Sequence, residues 1–238
     1  MRRERLRWGQ TWWRVSWRQA SRTGWDMKDA PISSWPDTLE AFRQAARWFV
    51  NTAAMVSDWD RPGLMEWTVR DLVGHTSRAL LTVETYVGLG SPGAPGSVFV
   101  TSAADYYRLA LDTVGDPALV AQRGRDAGAA LGPDPAPQVA VITDRVLHLL
   151  EAASGDAIAA TPVGRMYLAD YLPTRTFELT VHTCDLAASM GEPIQVPDAA
   201  ASASLRLLGD LAVRRGLAAE LLLAATGRGS LPAGFTVL

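Results

Sequence analysis

Between Leu39 and Val56 the apolar residues Leu39, Phe42, Ala46, Phe49, Ala53 and Val56 recur at alternating steps of three and four. That spacing predicts an amphipathic helix, opened by Pro36-Asp37 and stopped by Asp60-Arg61-Pro62-Gly63. A second helix is predicted from Thr68. Thr68 and Asp71 have the spacing of a capping box, and Leu72, Val73, Ala79, Leu80, Val83 and Tyr86 follow as the buried stripe. His75 lies on or beside that stripe. Residues 88–96, with four glycines and two prolines, read as a loop. Ser102 to Val114 and Asp116-Pro117 to about Gly132 read as two further helices, and Pro133 to Pro137 as a break. Val139, Ile142, Val146, Leu149 and Leu150 form the next stripe, with His148 off it beside Asp144, Arg145 and Glu151.

The next helix, from about Asp170 to Met190, stops at Gly191. Pro173 is expected in its first turn, where proline is tolerated. One face carries Leu172, Leu179 and Leu186; the adjacent face lines up Tyr171, Arg175, Glu178, His182 and Asp185 at steps of four and three. Pro197-Asp198 opens a helix to about Arg215, Leu217 to Ala225 reads as another, and Ser230 to Leu238 as a short extended tail. The chain is therefore expected to be all-α in the main.

Composition narrows the chemistry. The 238 residues carry a formal net charge of −2, 48% hydrophobic and 20% charged residues, as in an ordinary globular chain. One cysteine, Cys184, excludes an internal disulfide framework and a Cys-rich metal site. A metal would have to use His, Asp and Glu. The near-neutral charge argues against a nucleic-acid partner. No 18-residue apolar run exists to cross a membrane. The Gly-rich 88–96 loop lacks G-K-[ST], so it is no phosphate cradle.

The first 26 residues differ from the rest. They hold seven arginines against Glu4 and Asp26, and five of the nine tryptophans. No apolar core follows the arginines, so this is not a secretory signal. It reads as a membrane-surface segment, as a nucleic-acid arm, or as a disordered stretch upstream of a true start at Met27. Residues 27–238 are expected to form the folded domain.

Glu178 and His182, one turn apart, can reach a single metal ion, and a ligand from another helix would complete a site with an open position. His75 is the candidate for that ligand. Arg175 and Asp185 flank the pair, placed to hold the imidazole tautomer or a substrate carboxylate. The same spacing also occurs in plain surface pairs, worth about 0.2–0.5 kcal/mol.

Trp67-Thr68-Val69-Arg70-Asp71-Leu72-Val73-Gly74-His75 and Arg175-Thr176-Phe177-Glu178-Leu179-Thr180-Val181-His182-Thr183-Cys184-Asp185-Leu186 together resemble the two helical signatures of the mycothiol-dependent maleylpyruvate isomerase family, within the DinB-like superfamily. Leu222 to Arg228 and Leu231 to Phe235 resemble a common ending of that family. The resemblance implies a four-helix DinB-like bundle with additional C-terminal helices. It matches His75, Glu178 and His182 to divalent-metal ligands, usually zinc, although His₂Glu sites also accept nickel, iron or manganese. It implies mycothiol, the small thiol of actinobacteria, as cosubstrate, a small electrophile as partner and a cytoplasmic setting. The expected activity is thiol S-transfer to that electrophile or its cis–trans isomerisation. The family's isomerase has a sizeable C-terminal domain with basic substrate-binding residues. Here the residues after Gly191 read mainly as helix, and Arg214, Arg215 and Arg228 match no catalytic role. A transferase is therefore favoured over the isomerase, and a non-catalytic metal-binding bundle with a binding or regulatory role is the alternative.

Overall fold

The computed structural model describes residues 34–88, 99–114 and 116–238. The leader at 1–26 and most of the 88–96 loop lie outside these residues. Eight helices and one hairpin are formed among them: α1 (Trp35–Ala53), α2 (Val69–Gly88), α3 (Ala103–Val114), α4 (Pro117–Ala130), α5 (Pro135–Glu151), β1 (Ile158–Thr161), β2 (Gly164–Tyr167), α6 (Leu168–Met190), α7 (Asp198–Arg214) and α8 (Ala218–Ala225).

Local chemistry sets the helix starts. Ser34 and Asp37 close a capping box on α1. On α2 the Thr68 hydroxyl accepts from Asp71 N–H at 3.2 Å, while Asp71 accepts from Thr68 N–H at 3.0 Å. The Asp116 carboxylate accepts from the amides of Ala118 and Leu119 at the start of α4. Gly191, in the left-handed conformation at φ 76°, ends α6.

Helices α1, α2, α5 and α6 make a four-helix bundle in which α5 and α6 each pack against both α1 and α2. Its centre is filled by Phe42 and Phe49 of α1, Leu72 and Leu80 of α2, Val146 and Leu150 of α5, and Leu172, Leu179 and Leu186 of α6, all buried. The predicted stripes are thus the faces that meet. Helix α7 covers α1 and α6, α3 lies on α6, and α4 lies along α2.

The α2–α4 contact is unusually close. A Cβ on Gly74 would sit 2.1 Å from the backbone nitrogen of Gly128. One turn earlier on α4, Gly124 makes room for the indole of Trp67, whose Nε1–H donates to the Ala121 carbonyl at 3.1 Å.

Three expectations change. The predicted break after α4 is present but shorter, because Pro135 and Pro137 already belong to the first turn of α5, where a missing N–H removes no intrahelical bond. Helix α6 begins two residues earlier than predicted, so Pro173 is its sixth residue rather than part of its first turn. The helix forgoes one internal hydrogen bond there. Its start is fixed instead by a hairpin that the periodicity did not predict. β1 and β2 pair antiparallel, Leu168 N–H donates to the Ala157 carbonyl at 2.8 Å, and Ala169 N–H to the Gly155 carbonyl at 2.9 Å. The tail at 230–238 forms no strand among the described residues; Val237 is buried against the core.

Candidate metal centre

His75 projects from α2 and Glu178 and His182 from α6, the two neighbouring helices of the bundle. Their candidate ligand atoms all lie within 4.8 Å of one another, close enough to share one ion. His182 Nε2 is 3.3 Å from Glu178 Oε2, and its Nδ1 is 3.1 Å from Asp185 Oδ2. The His75 ring meets His182 edge-on at 4.8 Å and rests against Trp67 at 4.5 Å. Trp67 is itself pinned to α4, so the close α2–α4 packing supports the imidazole from behind.

Helix α3 contributes a group that the sequence patterns did not single out. The buried Tyr107 donates its phenol to Glu178 Oε1 at 2.6 Å. The only local sign of it was the Tyr106-Tyr107 doublet on an otherwise ordinary amphipathic helix. Arg175 is buried, stacked over the rings of Tyr106 at 5.3 Å and Tyr171 at 5.1 Å, with its Nε donating to Thr174 Oγ1 at 2.9 Å. Asp185 lies against His182 and away from the cavity lining.

The electrostatics are those of a buried, mutually coupled cluster rather than of an exposed surface pair. Burial, reinforced by the His182 charge, lowers the His75 pKa to about 4, so this imidazole stays neutral with a lone pair available. Burial opposes ionisation of Glu178, yet the hydrogen bond from His182 and the charge of Arg175 outweigh it and hold the carboxylate ionised. Burial likewise opposes a charge on His182, and the hydrogen bonds to Asp185 and Glu178 overcome it, pushing its pKa up. Burial, with Glu178 beside it, raises the Tyr107 phenol well above its ordinary value, so it remains a donor.

The constellation opens into a cavity of about 570 Å³. Its walls include Trp67, Tyr86, Tyr106 and Tyr107, the arginines Arg78, Arg123 and Arg175, and Leu238 from the tail. His148, by contrast, is solvent-exposed beside Glu151. Cys184 is half-buried and does not line the cavity; burial and then the Asp185 charge raise its thiol pKa, which disfavours the thiolate.

The family model for the mycothiol maleylpyruvate isomerase N-terminal domain matches residues 39–187. The chain belongs to this family. The match runs from α1 into the last turn of α6 and includes every residue of the constellation. A search of curated proteins and of solved structures finds no match.

The residues fit the metal that the family implies. Two imidazoles and one carboxylate form a catalytic-type donor set. His75 Nδ1 is buried without a hydrogen-bond partner in the described structure, a vacancy that is costly in a metal-free core. Asp185 against His182 Nδ1 is the usual carboxylate support for a ligating imidazole.

Proposed function

We propose that this protein is a metal- and mycothiol-dependent enzyme that adds a small thiol to an electrophile, releasing either the S-conjugate or a cis–trans isomer. The observation that carries the reading is the buried His75/Glu178/His182 set at the wall of a cavity large enough for a small substrate. A divalent ion there, zinc by the family resemblance, would favour the thiolate form of the cosubstrate, which is the nucleophile.

The chain's own residues have distinct tasks in this reading. His75, Glu178 and His182 hold the ion. Asp185 fixes the His182 ring so that Nε2 faces Glu178 and the shared site. Arg175, held between two tyrosine rings, binds an anionic group of the electrophile. Trp67 and the tyrosines form apolar walls that exclude water from the thiolate. The reading places the protein in the cytoplasm, where its thiol is made; no helix among the described residues is long and apolar enough to cross a membrane.

The test is turnover. Zinc-loaded protein with mycothiol and a panel of alkylating agents and cis-unsaturated keto acids is expected to consume thiol or isomerise substrate well above the rate of the metal-free protein. If the loaded protein accelerates no member of the panel, the non-catalytic bundle becomes the better reading.

A further inference from the structure

We infer that Tyr107 is a positioning residue that makes Glu178 a one-oxygen ligand. The inference rests on the metal-centre reading above and adds the manner of coordination to it. The two oxygens of Glu178 have separate neighbours: Oε1 accepts from the Tyr107 phenol at 2.6 Å, and Oε2 lies 3.3 Å from His182 Nε2. Tyr107 has an alternative acceptor, the Thr174 carbonyl at 3.3 Å. A phenol has one proton, and the shorter contact to the charged acceptor takes it.

The donor cannot drift from this place. Tyr107 is 6% exposed, and its ring is met edge-on by Phe177 at 5.8 Å and by Tyr106 at 5.9 Å. The carboxylate is therefore turned about its own axis by a group on α3, a helix that supplies no ligand. With Oε1 engaged, Oε2 is the oxygen presented to the imidazoles. The consequence is a ligand set that fills three positions rather than four. The position saved is the one that a thiol or a substrate oxygen needs. Asp185 performs the matching task on the other side, occupying His182 Nδ1 so that Nε2 is the nitrogen left for the ion.

Cobalt(II) substitution tests this, because its visible absorption is several times stronger in four- and five-coordinate sites than in six-coordinate ones. The comparison is between wild type and Tyr107→Phe, which keeps the ring and its packing. Far-UV circular dichroism and melting temperature serve as checks that the variant is folded. In the variant Oε1 is released and the carboxylate can chelate. The visible band is expected to weaken and shift as coordination rises, and cobalt affinity to fall by about 10–100-fold, the range for loss of a group supporting a metal ligand. A folded variant with an unchanged spectrum and affinity would overturn the role of Tyr107 while leaving the metal centre intact. A wild type that takes up no cobalt would overturn the metal reading itself, and this inference with it.

Discussion

Purified His182→Ala is expected to retain less than about one-tenth of the metal that the wild type holds, with thiol-dependent turnover at background. The physical basis is the geometry of the triad. The His182 ring lies 4.8 Å from the His75 ring, and its Nε2 is 3.3 Å from Glu178 Oε2. Its loss leaves only His75 and Glu178, two groups on different helices. Removing a mere supporting group costs roughly 10–100-fold in metal affinity, so removing a ligand should cost more than about 100-fold. Metal content by inductively coupled plasma mass spectrometry reads this directly, with wild type near one equivalent per chain. His148→Ala is the control, since that side chain is exposed and remote from the cavity. Equal metal in wild type and His182→Ala would remove His182 from the ligand set. No metal in the wild type, even after reconstitution with zinc, would leave Glu178 and His182 as a structural pair.

The second large effect is on stability. Gly74→Ala would place a methyl 2.1 Å from the Gly128 nitrogen and 2.4 Å from its Cα. Both obstacles are backbone, so no side-chain rotation relieves them. Forced overpacking costs about 1–3 kcal/mol where side chains can adjust. Here the loss should reach at least about 3 kcal/mol, which lowers the melting temperature of a domain of this size by roughly 6–12 °C. Gly209→Ala is the counterpart. It lies within α7 with nothing within 4 Å of the new methyl, so it should stabilise by up to about 1 kcal/mol. Urea unfolding of both variants measures the difference. A Gly74→Ala protein as stable as wild type would mean that α2 and α4 are not packed backbone to backbone. Because His75 follows Gly74, the same variant should also weaken metal binding by displacing its imidazole.

The bundle was readable in the sequence because its signals are local. Caps such as Thr68/Asp71 and stripes such as Val139–Leu150 act within one or two turns, and their predicted faces are the ones that pack. The hairpin was not readable. Its strands are four residues each, too short for alternation to stand out, and they are held by α6's first amides. Pro173 was misplaced for the same reason, since tertiary support extends α6 beyond what its own pattern requires. Glu178 and His182 were visible as a one-turn pair, His75 was the candidate third ligand because it lies beside the apolar stripe of its helix, and the resemblance carried by Trp67–His75 matched it to the same role. Tyr107 and the Gly74–Gly128 contact depend on which helices become neighbours, and a phenol or a glycine alone does not announce that.

The triad lies wholly on α2 and α6, whereas the cavity beside it is also walled by Leu238, far downstream. The candidate metal centre and part of the cavity wall are thus written in separate stretches of the chain. Change in the later stretch can alter the shape of the cavity without touching the three candidate ligands. On the proposed function, substitutions near Leu238 would tune which small molecule the cavity admits, while His75, Glu178 and His182 stay as they are.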